Sequence, residues 1–330
     1  MSMVYDSFLA MTKKLIIDCD TGVDDAQALI LAALSDNVEI LAITCTFGNN
    51  SVSQAAKNTV RVLHEIDCCH IPVYVGCEKP LKNDIMMDRI RSNAAAHHGL
   101  DGLGDAPHAT MGSPPYDTVI RSEKAATAIC RLIQEHPGEI TFVALGPLTN
   151  LAIAFRLDSS IVDLFKEIVI MGGAIHSKGN VTVVGEFNTT ADPEAAAIVI
   201  EDVVCPTYLF SWETVKLNGA TWEWHSHWLS RDTKVIKFLR EITAHSNNRC
   251  KMVANRLFSP ADLVTMAFVI DSSISTKESV HHCFVNCDSN PHTRGQLIVD
   301  WRDHLNKKKN ITVCLDWSVD RFKELLTKVI

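Results

Sequence analysis

No apolar run in this chain approaches the ~20 residues that a membrane-spanning helix needs. Positive charge is also scarce: 31 lysines and arginines face 39 aspartates and glutamates, a net charge of −8. Such a chain is a poor partner for a nucleic-acid backbone or an anionic membrane, because either demands a basic face. The basic cluster Lys307-Lys308-Lys309 lies between Asn306 and Asn310 and reads as a solvated turn. Paired CxxC spacing is missing as well. The eleven cysteines are odd in number, scattered, and partly set in apolar segments such as Thr44-Cys45-Thr46 and Val313-Cys314-Leu315. That pattern argues against a disulfide framework and fits reduced thiols in a cytoplasmic protein. His281, His282, Cys283, Cys287 and His292 show no standard zinc spacing and read as scattered polar positions on strands. No internal repeat, low-complexity linker or domain boundary is marked. Residues 1–14 hold an apolar patch broken by Asp6, too short for a signal segment, and Met11 is a second candidate start. The expectation is a soluble, cytoplasmic protein with neither nucleic acid nor membrane as partner.

What is present is enough apolar material for a large core: 47% of 330 residues are hydrophobic. One domain, 1–330, is expected, with 1–13 as a peripheral extension, since α/β domains often exceed the usual domain size. Strand-like and helix-like runs alternate: strand 15–18, helix from about 24, strand 38–47, helix 52–66, strand 72–76, helix 122–135, strand 140–145. A second series follows, with strand 167–173, helix 191–201 and strand 206–210. Asp192 suits an N-cap there, Pro193 the first helical position, and Glu194 the positive helix end. Alternation of this kind predicts an α/β fold with an open, mostly parallel, Rossmann-like sheet and flanking helices. Three further strand-like runs lie between about 279 and 317, before a last helix at 318–328. The interval 211–258 differs: it carries four of the six tryptophans in a polar, helix-compatible sequence and is expected as a helical excursion near the site.

The first strand ends in "LIIDCDTGVDDAQALILAAL", which gathers Asp18, Asp20, Asp24 and Asp25 within eight positions. In a doubly wound sheet ligands bind at the carboxyl ends of strands, so all four fall on that edge. Turn and helix-start chemistry explains one or two of them. Four close carboxylates raise one another's pKa unless a cation neutralises them, and a hard divalent ion with oxygen ligands is the economical answer.

"DCDTGVDDA" is similar to the DxDxxxDD signature of the inosine-uridine preferring nucleoside hydrolases. The likeness continues through "TFGN" (46–49), "HHGLDGLG" (97–104), "ALGPLTNLA" (144–152), "MGGAIHSKGNVTVVGEFNTTADPEAA" (171–196), "SPADLV" (259–264) and "HTRGQLIVDWR" (292–302). The resemblance implies the nucleoside hydrolase fold and calcium-dependent hydrolysis of the N-glycosidic bond of an inosine- or uridine-like ribonucleoside, giving base and ribose. It places Asp20, Asp25 and Asp262 on Ca2+, with the backbone carbonyl of Leu145. Asp24 matches the general base that activates a calcium-bound water, and Asp18 a supporting position. Asn49, Asn180, Glu186 and Asn188 match sugar-binding positions, and His98 is a candidate for the pocket rim. A homodimer or homotetramer is also implied. The chemistry is coherent, because a carboxylate-rich pocket suits an oxocarbenium-like transition state.

One position departs from the pattern. The residue before the last metal-binding aspartate is often histidine, tryptophan or cysteine in this family, and here it is Ala261, which can neither donate a proton nor stack. Substitutes are sought in the helical excursion: Trp222, Trp224, His225, His227, Trp228, His245 and Arg256. The alternatives are a substrate with a good leaving group, or a nucleoside- or ribose-binding homologue that has lost turnover. A weaker alternative takes "LIIDCDTG" as a haloacid-dehalogenase-like phosphatase motif, with Asp18 as nucleophile and Asp20 as acid/base.

Overall fold

Lys13–Cys19 forms β1, and Leu15, Ile16, Ile17 and Cys19 in it are wholly buried. A strand apolar on both faces belongs in the middle of a parallel sheet. The computed structural model, which describes residues 12–82, 87–106, 114–253 and 257–330, places it there. The other strands are β2 (Val38–Cys45), β3 (Val73–Val75), β4 (Ile120–Arg121), β5 (Ile140–Ala144), β6 (Glu167–Met171), β7 (Thr207–Phe210), β8 (Ser275–His281), β9 (Cys283–Val285), β10 (Leu297–Val299) and β11 (Ile311–Trp317). The main sheet runs β4-β3-β2-β1-β5-β6-β7-β11-β8. Every neighbouring pair is parallel except β11 with β8, an antiparallel edge. β9 and β10 form a separate antiparallel pair.

Helices cover both faces. Leu15, Ile17 and Cys19 point into a core shared with the helices Val23–Ala33, Val52–Glu65, Ala261–Ile270 and Val319–Val329. Ile16 points the other way, into a core with Ala125–Glu135, Thr149–Leu157 and Pro193–Asp202. Asp192 caps the last of these, accepting the Ala195 N–H at 3.1 Å, with Pro193 at the first helical position.

Two differences from the sequence reading are informative. Ala261–Ile270 reads ADLVTMAFVI, buried at every residue. A helix apolar all round shows no 3.6-residue period, so nothing in the pattern marked it. The interval 279–317 holds parts of four strands where three were expected, and β8 joins the sheet antiparallel to β11. The excursion 211–258 is helical as expected, with Trp212–Leu217, Trp222–Trp228 and Lys234–Lys251. It is closed by a bridge between Ala220 and Phe258, and its long helix packs on Met87–His98. Among the described residues no helix is long and apolar enough to cross a membrane, and all eleven cysteines are free thiols. Arg256 and Met11 lie outside the described residues.

Candidate active site

Strand order reverses between β1 and β5, and a crevice opens at their carboxyl ends. Asp20 follows β1, Leu145 follows β5, and the Leu145 N–H donates to the Asp18 carbonyl at 2.8 Å, locking the two strand ends together. Asp24 and Asp25 lie in the first turn of Val23–Ala33, and Asp262 in the first turn of Ala261–Ile270. The two helices pack side by side, so two positive helix ends meet the same acidic group and offset part of its repulsion.

Carboxylate oxygens of Asp24, Asp25 and Asp262 lie within 4.8 Å of one another. Asp24 Oδ1 and Asp25 Oδ1 are buried with no hydrogen-bond partner. Burial first, then the neighbouring charges, pushes Asp20 and Asp262 well above the usual carboxylate range and Asp25 up to about 7. Orphaned, all-oxygen donors driven to bind protons are what a hard dication would relieve, so these residues fit calcium.

The expected ligand set was Asp20, Asp25 and Asp262, whereas the three that converge include Asp24 in place of Asp20. Asp20 is engaged by Asn49, whose N–H donates to Asp20 Oδ2 at 2.7 Å. Gly48 makes this contact possible, because a Cβ there would stand 2.0 Å from that oxygen. The Leu145 carbonyl accepts from Asn188 Nδ2 at 2.8 Å, which leaves one of its two lone pairs for another partner.

A cleft of about 300 Å³ opens beside the cluster. Asp20, Asp24, Asn49, His98, Leu145, Asn180, Glu186, Asn188 and Asp262 all line it. Asn188 spends its NH2 on the carbonyls of Leu145 and Met171, leaving its Oδ1 as the polar atom for a ligand. Asn49 Nδ2 donates to Asp25 Oδ2 at 3.2 Å, and Asn180 Oδ1 is buried without a partner. Glu186 is engaged more heavily than its sugar-binding assignment implied: it caps Phe187–Ala191 and accepts the N–H groups of Gly173, Asn188 and Thr189.

His98 ends the helix Met87–His98. Its Nδ1 accepts the Val23 N–H at 3.0 Å, so the ring is neutral with its proton on Nε2. Burial lowers its pKa in the same sense, and the 3.8 Å approach to Asp24 Oδ1 is no ion pair. Gly22 admits this ring, since a Cβ there would meet His98 Nδ1 at 2.5 Å. Asp18 does not line the cleft. It is wholly buried, with Oδ1 accepting from Thr44 Oγ1 and Asn150 Nδ2 and its pKa pushed up to about 7 by burial. A nucleophile cannot act from there, which removes the phosphatase reading.

The model of the inosine-uridine preferring nucleoside hydrolases matches residues 15–324. This chain belongs to that family. The inosine-uridine preferring nucleoside hydrolase of Leishmania major is 33% identical over 321 residues, which cover 94% of this chain and 95% of the relative. Uridine nucleosidase 1 of Arabidopsis thaliana is 41% identical over 191 residues, 58% of this chain and 54% of that one. A solved inosine-guanosine nucleoside hydrolase superposes with a TM-score of 0.87 at 28% identity, over 97% of this chain and 99% of its own.

In this nucleoside hydrolase the cleft is also lined by Trp212, Lys216, Trp222, Arg249, Phe258 and the run Ser259 to Ala261, which leads into Asp262 of the acidic cluster. Ala261 is therefore on the wall, as a methyl group. Of the substitutes sought in the excursion, Trp222 lines the cleft and the other described ones do not. His225 is buried against Trp222, Trp228 and Phe258, with neither ring nitrogen partnered and its pKa lowered to about 4, chiefly by burial. His245 bonds the Ala96 carbonyl at 3.1 Å, and Trp228 is a core residue. Trp212 and Lys216 were missed. The signal available for them was a strand ending in Phe210 and followed by an N-cap serine, which puts the next helix on the ligand edge of the sheet.

Proposed function

We propose that the enzyme cleaves the N-glycosidic bond of ribonucleosides with Ca2+ held by Asp25, Asp262, Asp20 and the Leu145 carbonyl, and with Asp24 as general base. The observation that carries this reading is the convergence of buried, partly unpartnered carboxylates with an amide-lined cleft at the sheet's switch point. A bound dication there supplies a lowered pKa for water and a rigid dock for the 2′- and 3′-hydroxyls.

The chain's own residues do the rest. Asp24, the least buried of the cluster, takes the proton as a water oxygen attacks C1′. The acidic end stabilises positive charge that develops on the ribose. Asn49, Asn180 and Asn188 fix the sugar through directed amide groups. Assembly as a homodimer or homotetramer and a cytoplasmic location belong to the same reading, the location being supported by eleven free thiols.

Ribose release from inosine, uridine, adenosine, guanosine and cytidine, with and without a calcium chelator, tests it against Asp24→Ala as the blank. Chelator-sensitive release above the blank supports the reading. Calcium binding with no release from any of the five points instead to a binding protein that has lost turnover, the reading Ala261 favours. Protein that binds no divalent ion in calorimetry defeats the metal assignment.

A further inference from the structure

We propose that Lys216 gives the departing base the help that Ala261 cannot. The inference rests on the hydrolase reading and concerns the same cleft.

When the C1′–N bond breaks, its electron pair goes to the base nitrogen. Water gives C1′ its hydroxyl and Asp24 its proton, so negative charge grows on the base. The acidic cluster repels that charge, and a cationic partner for it has to come from elsewhere on the lining. Ser259, Pro260 and Ala261 line the cleft in a row up to Asp262, with only a methyl at Ala261. Lys216 lines it too, and its Nζ donates to the Ser259 carbonyl, two residues before Ala261. The same ammonium lies 4.7 Å from the centroid of the Trp212 ring. A hydrogen bond and a cation–π contact thus fix a normally mobile head group beside the gap.

Other candidates among the described residues fit less well. Arg249, also on the lining, is exposed, where water screens its charge. His98 is neutral and adjoins Asp24, at the sugar end. His225 does not reach the cleft. The cleft therefore pairs the acidic cluster, where the sugar becomes positive, with a cation beside Ala261, where the base becomes negative. After cleavage the base takes a proton from Lys216, which regains one from solvent as Asp24 releases its own. The sum is one water added across the bond.

The test compares inosine with p-nitrophenyl β-D-ribofuranoside, whose nitrophenolate leaves without assistance. Lys216→Gln keeps an N–H for Ser259 and removes the charge. It is expected to lower kcat on inosine about 10²-fold, as for loss of one charge-stabilising group, and on the nitrophenyl riboside less than about threefold. Lys216→Arg should recover most of the inosine activity, and calcium affinity by calorimetry should not change in either variant. Equal losses on the two substrates, or weakened calcium binding, would overturn the assignment and make Lys216 a positioning residue for the Ser259–Asp262 turn. Undiminished inosine turnover in Lys216→Gln would overturn it as well. If the unmodified enzyme cleaves neither substrate, the hydrolase reading itself fails and takes this one with it.

Discussion

The two ends of the cleft are built in different ways. The acidic end is assembled from the carboxyl ends of β1, β2 and β5 and the first turns of two packed helices, so its side chains are set by the core beneath them. The base end is a wall of aromatic and cationic side chains on the short helices that follow β7 and on the turn before Ala261–Ile270. One end concentrates buried charge and depends on the sheet. The other holds the half-buried Trp212, Lys216 and Trp222 and depends on the excursion. On the proposed reading, chemistry common to all ribonucleosides belongs at the first, and discrimination between bases at the second.

The largest effects should come from the acidic end. Asp24→Ala is expected to lose about 10²–10⁴-fold in turnover, the range for removal of a general base, while retaining calcium. Asp25→Ala should lose both turnover and calcium. Turnover and calorimetry on the pair check this, and equal metal loss in the two would end the division of roles between them. That outcome is a live test, because Asp24 joins the tight carboxylate group in which Asp20 was expected.

Calcium should also stabilise the fold in a pH-dependent way. Asp25 has a folded pKa near 7, raised by burial and by Asp24, against about 4 unfolded. Between those values the ion-free folded state holds more protons than the unfolded one, so its stability falls as pH rises through that window. Bound calcium replaces the proton. Its effect on Tm should therefore be larger at pH 8 than at pH 5.5, and an equal or reversed shift would show that the cluster is not where the ion binds.

At the base end, Trp222→Ala should raise KM for nucleosides about tenfold, from lost stacking and contact area, with a smaller change in kcat. Calcium affinity should be untouched. A loss confined to kcat would place Trp222 in the chemical step, and weakened calcium binding would show that the two ends are coupled.

This contrast also explains what was legible in the sequence. Asp20, Asp24 and Asp25 stood out, together with Asp18, because turn and helix-start chemistry explains one or two of four clustered carboxylates and not all of them. Asp192 and Pro193 announced their helix by capping chemistry. Ala261–Ile270 was hidden by its uniform burial. Lys216 and Trp212 were hidden for another reason: 43 residues separate Lys216 from the Ser259 carbonyl it holds, and no local spacing reports a contact across that distance. The gap at Ala261 was visible, but its remedy lay in tertiary structure.

The smallest expected effect is at His225, where sequence reasoning looked for catalysis. Its ring is enclosed by Trp222, Trp228 and Phe258, the last with ring centroids 4.1 Å apart, and neither nitrogen has a hydrogen-bond partner. Leaving a buried polar atom unsatisfied costs about 1–3 kcal/mol, and replacing it by an apolar ring of similar shape removes that cost. His225→Phe should therefore keep its activity and raise Tm by about 1–3 °C, allowing for the size of the chain. Because the folded pKa is lowered to about 4, the unfolded state binds the extra proton between about 4 and 6.5, and the unmodified protein loses stability as pH falls through that range. The variant has no such proton to bind. Its advantage in Tm should widen from pH 7 to pH 5, and a fall in turnover without a change in Tm would instead place His225 in the base end's chemistry, through the Trp222 ring it supports.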